Sequence, residues 1–153
     1  MPLAKLACLG LTLPAAPTPI GAYVPAVRTG NLVFVSGQLP LIEGKLPAEY
    51  TGKLGFNVSP EGGQAAARQA ALNVLAILEA TVGLDKITRI VRLTVHVAST
   101  PCFTAQPAVA NGASELMAAV FGDAGVHSRA AVGACVLPMD ACVELELIAE
   151  VGD

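Results

Sequence analysis

The chain has 153 residues, enough for one domain with a real core and short for two. Its net charge is −3, 14% of its residues are charged, and its nine Lys and Arg form no run, so the basic patch of a nucleic-acid binder is missing. Mean hydropathy is high at +0.62, yet the most apolar window, 65–84, is broken by Arg68, Gln69, Asn73 and Glu79, which argues against a membrane span.

A surface this apolar is expected to be covered by identical subunits, in a cytoplasmic protein. The opening Met1–Cys8 has too short an apolar run for a signal peptide. Cys8, Cys102, Cys135 and Cys142 form no C-x-x-C pair, and only His96 and His127 are available to help them. No zinc or redox site is expected; small buried thiols in a reducing compartment are.

In chain order, residues 3–9 predict a short helical turn ending at Gly10, and Leu13–Ile20, with three prolines, an extended arm. Tyr23–Val27 and Leu32–Ser36 read as strands joined across Arg28-Thr29-Gly30-Asn31, where Gly and Asn supply positive φ. Ser36-Gly37-Gln38 follows directly. Gly37 permits close approach of another group and Ser36 offers a hydroxyl, with a plain turn as the alternative. Ser59-Pro60-Glu61 starts a helix running to about Thr81, with Ala67, Ala71, Val74, Leu75 and Leu78 on one face and Arg68 and Glu79 on the solvated side. A long strand lies within Asp85–Ser99, with Val91, Leu93, Val95 and Val97 inward and Arg92, Thr94 and His96 outward. A second helix runs from Gln106 or Pro107 to Phe121.

Residues 127–138 and 141–150 then read as a closing strand pair of period two. Ala130, Val132, Ala134 and Val136 point one way, as do Val143, Leu145, Leu147 and Val151 in the second half. Arg129 is followed on its own face by Ala131 and Gly133. A fixed cation beside nearly absent side chains leaves a space suited to a small carboxylate. The alternative is an arginine at a solvent-facing strand end. Glu144, Glu146 and Glu150 share a face, solvated unless a neighbouring subunit covers it, in which case one of them is a candidate base. No phosphate loop and no G-x-S-x-G elbow occurs. The elements together predict an α+β layer, with two helices packed on one face of a mixed sheet, in one domain over 1–153 with 1–20 as an extension.

Three blocks carry a resemblance: Gly21-Ala22-Tyr23; Gly30-Asn31-Leu32-Val33-Phe34-Val35-Ser36-Gly37-Gln38-Leu39-Pro40; and Arg129-Ala130-Ala131-Val132-Gly133 through Leu137-Pro138, with Val143–Ala149 after it. In order and spacing they resemble the Rid family (YjgF/YER057c/UK114, also called endoribonuclease L-PSP). The first 20 residues and a long Pro101–Asn111 loop are similar to its longer bacterial branch. The resemblance implies a chorismate-mutase-like fold and a homotrimer with clefts between subunits. It also implies hydrolysis, without cofactor, of enamines and imines such as 2-aminoacrylate to 2-oxo acids and ammonia. By position, Arg129 would clamp the substrate carboxylate, backbone groups of Ala131 and Gly37 would line the site, Tyr23 and Ser36 would close it from the next subunit, and Glu144 would activate water. The family's helix asparagine falls at Ser114 counted back from Phe121, with Asn111 nearby as the alternative. The chain departs from the pattern at Ala131, where a Cys is common, and at Gly133, where an acid is usual and a wider cleft is expected. A non-catalytic binder of small carboxylates therefore stands as the second reading, and an RNA-cleaving enzyme as a third, opposed by the acidic balance.

If the closing strands formed a plain hairpin, Glu144 would face Cys135, roughly 20 Å from Arg129. Arg129 would face Glu150. Glu144 then serves a ligand of Arg129 only if the strands are not simple partners or if an adjacent subunit supplies it. The adjacent subunit is the preferred route.

Overall fold

The structure, a computed structural model, describes residues 1–152. The N-terminal turn is helix α1 (Pro2–Cys8), which lays Leu6 into the core at 2% exposure. Strands β1 (Ala26–Thr29) and β2 (Leu32–Gln38) pair as a tight hairpin in which Thr29 faces Leu32. Only Gly30 takes positive φ there (56°); Asn31 does not, because a two-residue turn asks for it at the first position alone when that residue is Gly. The first strand begins three residues later than its sequence pattern predicts, because Tyr23 and Val24 belong to the arm. Ser36 holds that arm, its N–H donating to the Pro25 carbonyl at 2.9 Å and its hydroxyl to the Val24 carbonyl at 2.7 Å.

Helix α2 (Pro60–Thr81) opens as its sequence predicts. Ser59 Oγ accepts the Gly62 N–H at 3.0 Å, and Pro60 occupies a position whose N–H has no helical partner. Ala66, Ala67, Ala70 and Ala71 are fully buried, and their small side chains let the helix lie close on its neighbours. Glu79 is not simply solvated: its carboxylate accepts the Leu84 N–H at 2.7 Å, closing the turn into β3 (Ile87–Ala98). Helix α3 (Gln106–Phe121) takes in the second half of the expected long loop, so the chain between β3 and α3 is only residues 99–105.

Strands β4 (Ser128–Ala134) and β5 (Val143–Val151) are not partners. The sheet order is β1-β2-β5-β3-β4, with β3 between the two strands that the sequence pattern pairs. The β3–β4 pair is parallel, joined by α3, and every other pair is antiparallel. Alternation identifies a strand without naming its neighbour, and here the α3 crossover seats β4 outside β3. The link from Cys135 to Cys142 then carries the chain back across the sheet, with Met139 and Asp140 at positive φ.

The register also reverses a face assignment. Val132 lies opposite His96, which lies opposite Glu144, whereas Arg129 lies opposite Leu93, which lies opposite Leu147. Ala130, Val132 and Ala134 therefore share the open face with Glu144, not the core face with Val143, Leu145 and Leu147. Both long helices pack on the core face. The other face is uncovered in a single chain, leaving Val27, Phe34 and Val132 at 54, 41 and 44% exposure. Of the four cysteines only Cys142 is buried, its thiol pushed up to about 11 by loss of solvent, so the expectation of buried thiols fails for Cys8, Cys102 and Cys135. Each of those three lies outside the inward face of any strand or helix. No helix of the described residues is long and apolar enough to cross a membrane.

Candidate functional site

One half of the candidate site is built on the strand that ends at Gln38. Between Val35 and Gln38 the β2–β5 register slips, so three steps on β2 span two on β5. The extra residue is a bulge at Ser36-Gly37, a device that re-aims backbone and side chains at a sheet end. A Cβ at Gly37 would run into the Glu144 carboxylate, so the acid lies directly over the Gly37 backbone. Beyond the bulge, the buried Asn73 of α2 donates to the Leu39 and Leu41 carbonyls, both at 3.0 Å, and pins the strand exit. Together with the arm these residues enclose a cavity of about 540 Å³, lined among others by Ile20, Tyr23, Ser36, Gly37, Met139 and Glu144. Burial is the main reason the Glu144 carboxyl titrates above the ordinary carboxylate range; Glu146 adds to the rise and His96 opposes it. A carboxylate so placed is a stronger base than one in water.

The second half belongs to the edge strand β4, two strands from β5, and to the opposite face. Arg129, on β4, points toward α3 and is half-buried. Its Nη1 donates to Asn111 Oδ1 at 2.7 Å and to Ser114 Oγ at 3.1 Å, so both alternatives of the sequence reading meet at the same nitrogen. Residues 111 and 114 are one helical turn apart, which puts them on one face of α3. Both partners are uncharged, so the guanidinium keeps its full charge for a guest anion. Among the described residues Arg129 bonds through Nη1 only, which leaves the Nε–H and Nη2–H edge, and that edge fits a carboxylate side-on through two parallel hydrogen bonds. Arg129 is not at a solvent-facing strand end but half-buried under α3, and Gly133, on the same face of β4, lines a cavity of about 560 Å³ with Ser99, Gln106 and Cys135. Ala131 packs against the core, and Gly133 lies close under Ser99 and Gln106, where a Cβ would come within 3.0 and 3.2 Å of their side chains.

The predicted residues thus fall into two groups within one chain: Tyr23, Ser36, Gly37 and Glu144 at the cavity, and Arg129, Ala131 and Ser114 with Asn111 at the far edge. Glu144 and Arg129 are two strands and three residues apart, about 14 Å between Cα atoms, and face opposite sides of the sheet. The sequence reading gave no role to His127, which touches Ser114, or to Asn73. The only signal for either was a polar residue breaking an apolar pattern. Among the described residues no three His, Cys, Asp or Glu side chains gather as a metal would require.

A five-stranded mixed sheet with two long helices on one face, its candidate site residues divided between the sheet's two faces, is the architecture of a chorismate-mutase-like α+β protein. The chain belongs to the YjgF/RutC family: the family model described as "YjgF/chorismate_mutase-like, putative endoribonuclease" matches residues 3–151. Protein TCP17 of Trypanosoma cruzi is 45% identical over 152 residues, covering 98% of this chain and 94% of that protein. The 2-iminobutanoate/2-iminopropanoate deaminase of Escherichia coli K12 is 36% identical, covering 88% of this chain and 91% of that one. A crystal structure of a protein of unknown function from Agrobacterium tumefaciens superposes with a TM-score of 0.89 at 43% identity, over 98% of this chain and 91% of that one.

Proposed function

We propose that this chain hydrolyses 2-imino acids, and the enamines that tautomerise to them, at clefts formed where copies of the chain meet in a homotrimer. The observation that carries the reading is the division of the site: a bare cationic edge at Arg129 and a raised carboxyl at Glu144, on opposite faces of one sheet. Neither half alone holds both an anion and a base. A second copy laid against the uncovered face and its edge brings Glu144, Tyr23 and Ser36 of one chain to Arg129 of another. Deaminases among the relatives support the substrate class.

In this cleft the Nε/Nη2 edge of Arg129 holds the substrate carboxylate. An enamine first takes a proton at C3 and gives one up from nitrogen, becoming the imine. Water then adds to C2 as Glu144 removes its proton, and that proton passes to the nitrogen. Glu144 then carries the carbinolamine's hydroxyl proton to its amino nitrogen, the C–N bond breaks as the C=O bond forms, and ammonia and a 2-oxo acid leave. The imine carbon is already electrophilic, so fixing the water and the carboxylate supplies several kcal/mol of barrier reduction. The thiol missing at Ala131 takes no part. RNA cleavage gains no support from a chain of net charge −3.

The test is complementation. Arg129→Ala and Glu144→Gln are each expected to abolish consumption of 2-aminoacrylate generated in situ by a pyridoxal-phosphate lyase. Co-refolded in equal amounts, they are expected to regain about a quarter of parental activity, since one interface in four pairs an intact Arg129 with an intact Glu144. Mixed oligomers that stay inactive would refute the shared site. Pyruvate binding that needs Arg129, with no turnover by the parent, would leave the non-catalytic binder instead.

A further inference from the structure

We infer that His127 is a positioning residue for Arg129, acting through Ser114. The inference rests on the reading above for its ligand but not for its geometry. His127 Nδ1 lies 2.6 Å from the Gly125 carbonyl, and Nε2 lies 2.9 Å from Ser114 Oγ. A carbonyl only accepts, so Nδ1 carries the proton, and in the neutral ring Nε2 is left as an acceptor. Ser114 must then give its single proton to His127. Its remaining lone pairs face outward, and one of them receives Arg129 Nη1 at 3.1 Å.

Without the ring, the Ser114 hydroxyl is free to turn back to its own helix's carbonyls, the habit of a mid-helix serine, and its lone pair leaves the guanidinium. Asn111 alone then holds Nη1, and the guanidinium plane gains a rotation. Since the open Nε/Nη2 edge is defined by which nitrogen is saturated, a loosened Nη1 misdirects the edge offered to the carboxylate. Gly125 belongs to the same device: its carbonyl anchors the ring, and a Cβ there would run into the Met117 carbonyl of α3, so the turn and the helix are held in fixed relation. His127, two residues before Arg129, is thus committed to ordering the arginine.

Two measurements on the assembled protein decide this. In protein labelled with ¹⁵N at arginine and histidine, His127 is expected to show the Nδ1–H tautomer, and His127→Ala to move and broaden the Arg129 Nε–H resonance. By calorimetry, His127→Ala is expected to weaken pyruvate binding roughly fivefold to tenfold. In a Ser114→Ala background the same change should add less than about twofold, because the intermediary is already gone. His127→Gln, which keeps an acceptor near the Nε2 position, is expected to recover most of the affinity. Should His127→Ala fail to fold, Ser114→Ala and His127→Gln carry the same readouts. An Nε2–H tautomer, an unmoved Arg129 resonance, or full additivity of the two alanine changes overturns the inference. If the parent binds no pyruvate while the Arg129 resonance responds, the proposed activity falls and the positioning role stands.

Discussion

Gly112→Ala sets two effects of opposite sign against each other. On an exposed helix the change stabilises by about 1 kcal/mol, because alanine gives up less backbone entropy. Here Gly112 sits where α3 crosses α2. A Cβ would strike the Gln64 carbonyl oxygen and lie 2.8 Å from its carbon and 3.0 Å from its Cα. All three are backbone atoms and cannot rotate away, and the Gln64 side chain already ties the helices by donating to the Ala108 carbonyl at 2.8 Å. Overpacking costs about 1–3 kcal/mol, and contacts with unyielding backbone put this one in the upper part of that range, about 2–3 kcal/mol, so the clash wins. The net loss of about 1–2 kcal/mol lowers the Tm by roughly 2–8 °C for a chain of this size. Asn111 and Ser114 flank the site, so the same shift pulls both oxygens off Arg129, and pyruvate affinity should fall with Tm. Scanning calorimetry and titration calorimetry on the one variant check both. A Tm equal to or above the parent's would show that the helices do not meet at residue 112.

Glu144→Gln should remove activity yet raise stability at neutral pH. Because the folded state holds the Glu144 proton more tightly than the unfolded state does, stability from this group is full at low pH and falls as pH rises from the ordinary carboxylate range through its raised value. The amide has no such slope, so the Tm gain seen near about pH 7.5 should vanish near about pH 4. A constant gain at both would assign the effect to packing. Asn73→Ala should cost about 2 kcal/mol, since the Leu39 carbonyl loses its donor while Leu41 keeps the longer bond from Gln69 at 3.3 Å. Denaturant unfolding measures it, and a loss below about 0.5 kcal/mol would mean that water replaces the amide.

Much of the fold is legible from local chemistry. Ser59-Pro60 starts one helix and Phe121-Gly122 ends the other, where φ reaches 61°. Each strand with a clean alternation is present within a few residues. The misreadings concern partners. Tyr23 has a β-compatible pattern but leaves the sheet, because Ser36 binds the arm's backbone. Glu79 looks solvated until the turn that it closes is seen. Ser114 and Asn111 cannot be chosen between by spacing, because a guanidinium nitrogen has two protons and takes both.

From the chain alone come the number and kind of elements, a glycine at the end of β2 that permits close approach, and the arginine placed among small residues, since each follows from neighbours close in sequence. Only the folded molecule decides that β3 separates β4 from β5, and hence that Arg129 and Glu144 lie on opposite faces. Period-two alternation records which side chains share a face of one strand but carries no information about which strand lies next to it. That choice is made by the α3 crossover and by burial of the helix faces, contacts between residues far apart in the chain.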